Sequence, residues 1–342
     1  MRIRCGWIIG FLLLSLCHGG VVMADVEDAA PSPCIEWLQV PVPEADAAPP
    51  TDSHCDSQDL YYGQLGDGAG ADFAAARACA YRDRTNHAMD FAGPGFLMMI
   101  YANGKGVVRN LPLAKRFACE AWGSSAEYQG RLSHIDELAK GDASAPPIDL
   151  CDDITSSHMI GACERRATIW QNRQREVSLD TLTKTWTVPE RAAFDNLHKA
   201  ADAFINESDY KEIDRSGSIR SYLQAVTQEE LQRAFFDRVQ ACARGELPTA
   251  TAQDFKVADT DLNALYAVVM KSARAGMRAR PGSKEIVLPE GIRSSQLAWL
   301  KYREAWVEFG RLKYPAVNAE AWRADLTRER IRQWERMREI SL

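Results

Sequence analysis

The chain has 342 residues, of which 47 are acidic and 41 are basic, so its formal net charge at pH 7 is −6. This length exceeds that of most single domains, and two or more folded units are expected. Nucleic-acid binding is not indicated, because it depends on an excess of Lys and Arg that displaces counterions from phosphates.

Residues 1–24 have the pattern of a secretory signal peptide. Arg2 and Arg4 precede a short apolar run, and small residues follow at the expected cleavage site. A lipid-anchored protein acylated at Cys17 is the alternative, but Leu16 is bulky for a lipid box. The expected location is the periplasm or the cell exterior, with no integral membrane segment after cleavage.

Residues 25–53 are expected to be an acidic, proline-rich leader. The segment holds seven acids, six prolines and no Lys or Arg, and such a composition cannot bury enough apolar surface to fold alone. Its apolar patch, residues 34–38, is the part that could dock on the body of the protein. Loss of the two arginines of the signal peptide leaves a net charge of −8, most of it in this leader.

Nine cysteines are present, and seven remain after cleavage. An oxidising compartment favours disulfides. The sequence has no Cys-x-x-Cys motif, so neither a thioredoxin-type site nor a zinc ribbon is indicated. Because seven is odd, at least one cysteine is free or pairs with another chain.

Two similar segments occur within residues 54–142, each with an aromatic helix end, a Gly-x-Gly turn and a second helix. The turn glycines are Gly66 and Gly68 in the first copy and Gly104 and Gly106 in the second. The pair around Lys105 lacks the following hydroxyl and the preceding strand of a phosphate-binding loop. It therefore predicts a turn at positive φ. Asn110 and Ser124 are predicted to cap the next two helices.

The second copy resembles the Sel-like repeat, a short relative of the tetratricopeptide αα hairpin. The matching residues are Leu97, Met98, Tyr101, Gly104, Gly106, Val107 and Ala114. In the first copy Ala69 stands where the family has Val. The resemblance covers about residues 55–139 and implies stacked hairpins whose concave face binds proteins or peptides.

The symmetry of the first hairpin predicts a disulfide between Cys55 and Cys79. Each lies 12 residues from Asp67 at the bend, and such positions face each other in an antiparallel pair. Cys79 and Cys119 are equivalent in successive repeats, whose helices lie ~8–10 Å apart, beyond disulfide reach.

Beyond a linker at residues 143–148 the pattern is helical throughout. The expected segments are Cys151–Trp186, Thr187–Glu207, Thr227–Arg244, Asp259–Arg278, Glu290–Lys313 and Asn318–Arg338. Thr187 and Thr227 each begin a capping box. Ile292, Trp299 and Trp306 recur every seven residues, as on one buried helix face. We predict an all-α fold: a short αα-hairpin array followed by one or two small helical domains, with disulfides.

Residues 255–337, within a domain placed at 252–342, resemble the LprI-like domain, a small secreted helical domain named for a lysozyme-inhibiting lipoprotein. The matching residues are Leu262, Asn263, Tyr266, Gln296, Trp299, Tyr302, Arg303, Thr327 and Arg330. Trp306 and Trp322 stand at two places where the family carries cysteines. Such an aromatic pair would replace a disulfide by stacking and burying area.

A family-like Cys-x11-Cys opening occurs at Cys151 and Cys163, which implies a second disulfide. Two interpretations of residues 151–247 stay open: a degenerate LprI-like copy, or half of one, and an unrelated helical segment. Cys34, Cys119 and Cys242 are left without an assigned partner.

The sequence contains no recognisable catalytic constellation. It has no His-Glu-x-x-His motif and no Gly-x-Ser-x-Gly elbow. His54 is adjacent to Cys55, which could suggest a thiol nucleophile, but the favoured interpretation is that Cys55 forms a disulfide. No enzyme activity, metal or cofactor is predicted.

Gln296, Trp299, Tyr302 and Arg303 form the most distinctive cluster of residue types. Either they are a recognition patch, since Trp, Tyr and Arg dominate binding hot spots, or they are core residues, which is the favoured interpretation. The expected function is a secreted protein-binding protein that inhibits lysozyme, as the second resemblance implies. The alternative is a non-catalytic envelope scaffold that acts through the Sel-like repeats.

Overall fold

The computed structural model describes residues 32–44, 55–63, 70–84, 93–141 and 146–340, with side chains to residue 337. Within these ranges every regular element is helical, and three disulfides are present. The predicted all-α, disulfide-containing fold is confirmed. The signal peptide and the turn glycines Gly66 and Gly68 lie outside the described residues.

Eleven α-helices occur in the described residues. They are α1 (Ser57–Tyr62), α2 (Phe73–Arg82), α3 (Gly93–Asn103), α4 (Leu111–Glu120), α5 (Ser125–Ala139), α6 (Ser157–Thr183), α7 (Val188–Lys211), α8 (Arg220–Ala243), α9 (Ala252–Ala279), α10 (Pro289–Lys313) and α11 (Ala319–Ile340). Two short 3-10 turns, Ser32–Cys34 and Trp37–Gln39, precede them.

Helices α1 to α5 pack in succession around one hydrophobic cluster. The central helix, α3, is buried from Gly93 to Ala102, which explains why its sequence has no polar face. Gly93 permits the close approach of α2, because an added Cβ would lie 1.9 Å from the carbonyl oxygen of Ala80. Asn110 and Ser124 cap α4 and α5 as predicted.

The turn between α3 and α4 contains Gly104 and Gly106, whose φ angles are 65° and 67°. This is the left-handed conformation that the turn interpretation predicts. The backbone N–H of Lys105 donates to the carbonyl oxygen of Ile100 at 3.0 Å. The flanks are helical, so the glycine pair closes a hairpin and does not follow a strand.

Three disulfides join elements of this N-terminal unit: Cys34–Cys119, Cys55–Cys79 and Cys151–Cys163, with Cα–Cα distances of 5.5, 5.6 and 6.0 Å. The second is the pair that hairpin symmetry predicts, and the third is the pair that the LprI-like resemblance implies. The first connects the leader to α4. No local pattern reveals it, because its cysteines are 85 residues apart.

The described part of the leader, residues 32–44, docks on α4. Lys115 Nζ lies 4.1 Å from the centroid of the Trp37 ring. Arg116 Nη1 donates to the carbonyl oxygens of Leu38 and Val40, both at 2.6 Å. The apolar patch of the leader is therefore part of the N-terminal unit.

Helix α6 connects the two hydrophobic clusters of the chain. Its first turns contribute Met159 and Ala162 to the N-terminal cluster, and Leu179 near its end belongs to the second cluster. It runs parallel to α8, as the contacts of Thr168 with Ala225 and of Arg175 with Glu229 show.

The predicted start of α8 at Thr227 is wrong, because the helix begins at Arg220 without a side-chain cap. The extra turns pack on α6, where an added Cβ on Gly161 would meet Ser221 at 2.5 Å. Here tertiary packing outweighs the local capping signal. The predicted start of α9 is also late, since Thr251 and Asp254 form a capping box before it.

Helices α7 to α11 form a bundle around the second cluster. Helix α10 runs antiparallel to α7, with Lys313 Nζ 3.1 Å from Glu190 Oε1 at one end and Ser294 donating to Glu207 nearer the other. Helix α9 packs on α11. Residues from both predicted units, 151–247 and 252–342, contribute to this second cluster. The boundary between the two units stays a prediction.

Candidate protein-binding site

The residues of the LprI-like motif lie on three adjacent helices. Leu262, Asn263 and Tyr266 are on α9, Gln296, Trp299, Tyr302 and Arg303 on α10, and Thr327 and Arg330 on α11. Six are buried: Leu262, Trp299, Tyr302, Arg303, Thr327 and Arg330. Tyr266 and Gln296 are half-buried, and Asn263 is exposed.

Arg330 is the centre of a buried polar network. Its guanidinium pairs with Glu212 at the end of α7, and both side chains have 0% exposure. Ser295 Oγ also donates to Glu212. Arg330 Nε donates to Gln296 Oε1 at 3.2 Å, and its Nη1 to Gln333 Oε1 at 2.7 Å. The network joins α7, α10 and α11, so it fixes how these helices meet.

Arg303 forms a second polar contact, between α9 and α10. Its Nη1 lies 3.7 Å from Asp259 Oδ1, and its Nη2 lies 3.0 Å from Glu304 Oε1. Its guanidinium carbon is 5.3 Å from the ring centroid of Phe255 and 5.1 Å from that of Trp299. The arginine is thus shared between carboxylates at the surface and aromatic rings below.

Tyr302 is enclosed by aromatic side chains. Its ring stacks on Phe204, with centroids 5.4 Å apart, and burial raises its pKa above the ordinary value for tyrosine. A buried, neutral phenol cannot contact a partner directly. Trp299, Tyr302, Arg303 and Arg330 are therefore core and positioning residues in this structure, as the favoured interpretation of the cluster has it.

Trp306 and Trp322, at the two places where the family carries cysteines, stack with centroids 5.6 Å apart and an interplanar angle of 16°. Both are 0% exposed. Gly310 allows this arrangement, because a Cβ there would lie 2.5 Å from Trp322 Nε1. The aromatic pair joins α10 to α11 at this position.

The exposed face beside this core carries four carboxylates, which we call the acidic strip: Asp259, Glu304, Glu308 and Glu320. Their side chains are 36% to 60% exposed. Arg303 links the first two, Arg323 links Glu304 to Glu320 at 2.7 and 2.9 Å, and Arg311 Nη2 lies 2.6 Å from Glu308 Oε1. Partial burial opposes ionisation of Glu304, but Arg323 and Arg303 more than offset it and lower its pKa. Glu304 is therefore ionised at neutral pH.

Cys242 is a buried free thiol near the end of α8. Burial raises its pKa to about 11, although Arg238 acts in the opposite direction. The thiol is therefore protonated at neutral pH and a poor nucleophile. Across the described part of the chain, no group of three or more His, Cys, Asp or Glu could hold a metal ion.

Sequence reasoning missed Glu212, Ser295 and Gly310. Glu212 lies more than a hundred residues from its partner Arg330, and no local pattern marks such a pair. Gly310 interrupts an otherwise regular helical pattern, and an isolated helical glycine is a signal of close packing that could have been used.

A family model described as "Lysozyme inhibitor LprI" matches residues 238–334. The match includes the last turns of α8, and so begins earlier than the boundaries at 252 and 255 drawn from the sequence. No curated protein and no solved structure matches the chain. No helix in the described ranges is both long enough and apolar enough to cross a membrane. The C-terminal helices, from the end of α8 to α11, are thus similar to the LprI lysozyme inhibitor family.

Proposed function

We propose that this protein is a secreted, non-catalytic binding protein whose C-terminal helices bind and inhibit a lysozyme. The observation that carries the proposal is the match of residues 238–334 to the lysozyme inhibitor family. The three disulfides support an extracytoplasmic location, because disulfides persist in oxidising compartments.

The acidic strip is the contact surface in this proposal. Lysozymes are cationic, and carboxylates on an exposed face steer a cationic partner and set its orientation. The buried motif residues then act by holding α9, α10 and α11 in register, so that Asp259, Glu308 and Glu320 stand on one surface. Asn263 adds an exposed amide beside it, held by a 3.2 Å hydrogen bond to Asp259.

The test is lysis of a bacterial cell-wall suspension by lysozyme in the presence of excess purified protein. We expect lysis to slow. Replacing three carboxylates, Asp259→Asn, Glu308→Gln and Glu320→Gln, is expected to weaken inhibition by roughly tenfold. Glu304 is left in place in this variant, because it pairs with both Arg303 and Arg323.

The matched control neutralises three exposed carboxylates elsewhere, Asp180→Asn, Asp195→Asn and Glu290→Gln, and should inhibit like the unmodified protein. Undiminished lysis at excess protein would reject the inhibitor function. Equal loss in both variants would reject the acidic strip as the contact surface.

A second candidate function is an envelope scaffold that acts through the N-terminal array. It rests on the resemblance of α1 to α5 to Sel-like repeats and on two exposed apolar side chains there, Val108 at 90% and Trp122 at 57% exposure. Cross-linking of the full chain in an envelope extract should give adducts with other proteins. These adducts should be lost in the double variant Val108→Ser, Trp122→Ser. Adducts that depend on the acidic strip instead would favour the inhibitor.

A further inference from the structure

A groove of about 550 Å³ opens at the end of the bundle opposite the acidic strip. It lies between the C-terminal half of α9, the loop after it, the start of α10 and the end of α11. Its floor is apolar, formed by Val269, Ala273, Ile286, Ile292, Trp334 and Met337. The volume falls within the range of about 300–1,000 Å³ that is usual for binding pockets.

The rim of the groove is basic. From Leu262 to Lys284 the chain contains five Lys and Arg residues and no acid. Lys271 is the exposed base of α9 that lines the groove, and Arg278, two helical turns later, lies on the same side of this helix. Both side chains are exposed, and neither forms an ion pair with any carboxylate in the described ranges.

The two carboxylates that line the groove are already neutralised. Glu212 pairs with the buried Arg330. Asp214 accepts hydrogen bonds from Ser216 and from Arg280 Nη2, the latter at 2.6 Å. Among the residues that line the groove, the unpaired charge is that of Lys271, and it favours an anionic occupant.

The depth of the apolar surface indicates whether a protein segment or a lipid bilayer can contact it. Ile292 and Trp334 are 2% and 1% exposed, so the apolar floor is recessed, and the flat surface of a bilayer would not reach it. Side chains that project from a helix can enter such a groove, as in helix-in-groove recognition. Val268, 46% exposed at the edge of the groove, extends the apolar contact toward the rim.

We propose that this groove binds an acidic amphipathic segment of a partner protein, with its apolar side chains in the groove and its carboxylates along Lys271 and Arg278. The partner differs from a lysozyme, because the basic rim repels a cationic protein. The C-terminal bundle then carries two binding surfaces, one at each end, and can hold two partners at once.

The probe is a fluorescein-labelled synthetic peptide with Leu at helix positions i, i+3, i+4 and i+7 and Glu elsewhere. Its fluorescence anisotropy is measured with the full-length protein at low and high salt. We expect saturable binding that weakens as salt is added. A peptide with Lys in place of Glu should not bind.

Two pairs of variants locate the site. Charge reversal at two groove bases, Lys271→Glu and Arg278→Glu, should weaken binding by about tenfold or more, whereas reversal of two exposed bases elsewhere, Lys199→Glu and Arg233→Glu, should not. Val268→Ser should weaken binding, and Val257→Ser, at an exposed valine of the same helix, should not. All substituted residues are at the surface, so the fold is retained and is checked by circular dichroism.

Three outcomes would overturn the proposal. They are no peptide binding up to about 100 µM, equal loss in the groove and control variants, and groove-dependent binding of phosphatidylglycerol vesicles that the peptide does not displace. The last result would assign the groove to a lipid surface. Lysozyme inhibition is measured on the same variants and should not change, so the two proposals fail separately.

Discussion

In the N-terminal unit, three disulfides link the leader to α4, the segment before α1 to α2, and the segment before α6 to the second turn of α6. Helices α7 to α11 have no disulfide. Their one cysteine is Cys242, a buried free thiol near the end of α8. The bundle is held by stacked aromatic rings and by a buried ion pair between Arg330 and Glu212. Short helices with little area each depend on covalent links, whereas helices of 22 to 28 residues bury enough side chains to pack without them.

The largest expected effect is that reduction separates the two regions. Each disulfide contributes about 2–5 kcal/mol, so a thiol reductant should unfold the N-terminal unit and leave the bundle folded. Hydrogen exchange followed by mass spectrometry is expected to show fast exchange in α2 to α4 and unchanged protection in α10 and α11. Equal loss of protection in both regions would show that the bundle depends on the cross-linked unit.

The bundle should be most sensitive at its buried ion pair. Glu212→Ala leaves the guanidinium of Arg330 buried without its carboxylate and is expected to cost about 3–5 kcal/mol in urea unfolding. The control is Glu230→Ala, which removes the partner of the half-exposed Arg336 and should cost less than about 1 kcal/mol. Similar losses in the two variants would contradict the central position of Arg330.

The stacked tryptophans test whether aromatic packing replaces a cross-link. Trp306→Ala should destabilise the bundle by about 3–5 kcal/mol at most, because a large buried side chain is removed. Trp122→Ala, at a side chain that is 57% exposed, should change the unfolding free energy by less than about 0.5 kcal/mol. If Trp306→Ala instead lowered the stability of the N-terminal unit, the two regions would not be independent.

The smallest expected effect concerns Asp209, a partly buried carboxyl group in the bundle, which has no disulfide. Burial raises its pKa to about 6, although Arg215 acts in the opposite direction, and its Oδ1 has no hydrogen-bond partner. An acid whose folded-state pKa is raised destabilises the fold as pH rises through that value, since the unfolded state then favours the charged form.

Asp209→Asn should therefore stabilise the protein at pH 7.5 by about 1 kcal/mol, discounted because the residue is partly exposed. The gain should fade as pH falls through 6 towards 4, where both states bind the proton. Thermal unfolding across this pH range measures the effect, with Asp195→Asn at an exposed position as the control. A gain that does not depend on pH would assign the effect to packing instead of charge.

Much of the fold follows from local signals in the sequence. The capping residues Asn110, Ser124 and Thr187 begin helices where expected, and the seven-residue spacing of Ile292, Trp299 and Trp306 marks a face that is buried. The start of α8 could not be found in this way, because its first turns are stabilised by α6 and not by their own sequence.

The sequence by itself determined the helical fold class, most helix boundaries, the Gly104–Gly106 turn and the resemblance of the C-terminal helices to a lysozyme inhibitor family. These depend on spacing within a few residues. Only the tertiary structure decided that Cys34 meets Cys119, that Glu212 meets Arg330, and that the acidic strip and the groove stand at opposite ends of one bundle. Such pairings join residues that are far apart in the chain, and they form only when packing of the helices brings them together.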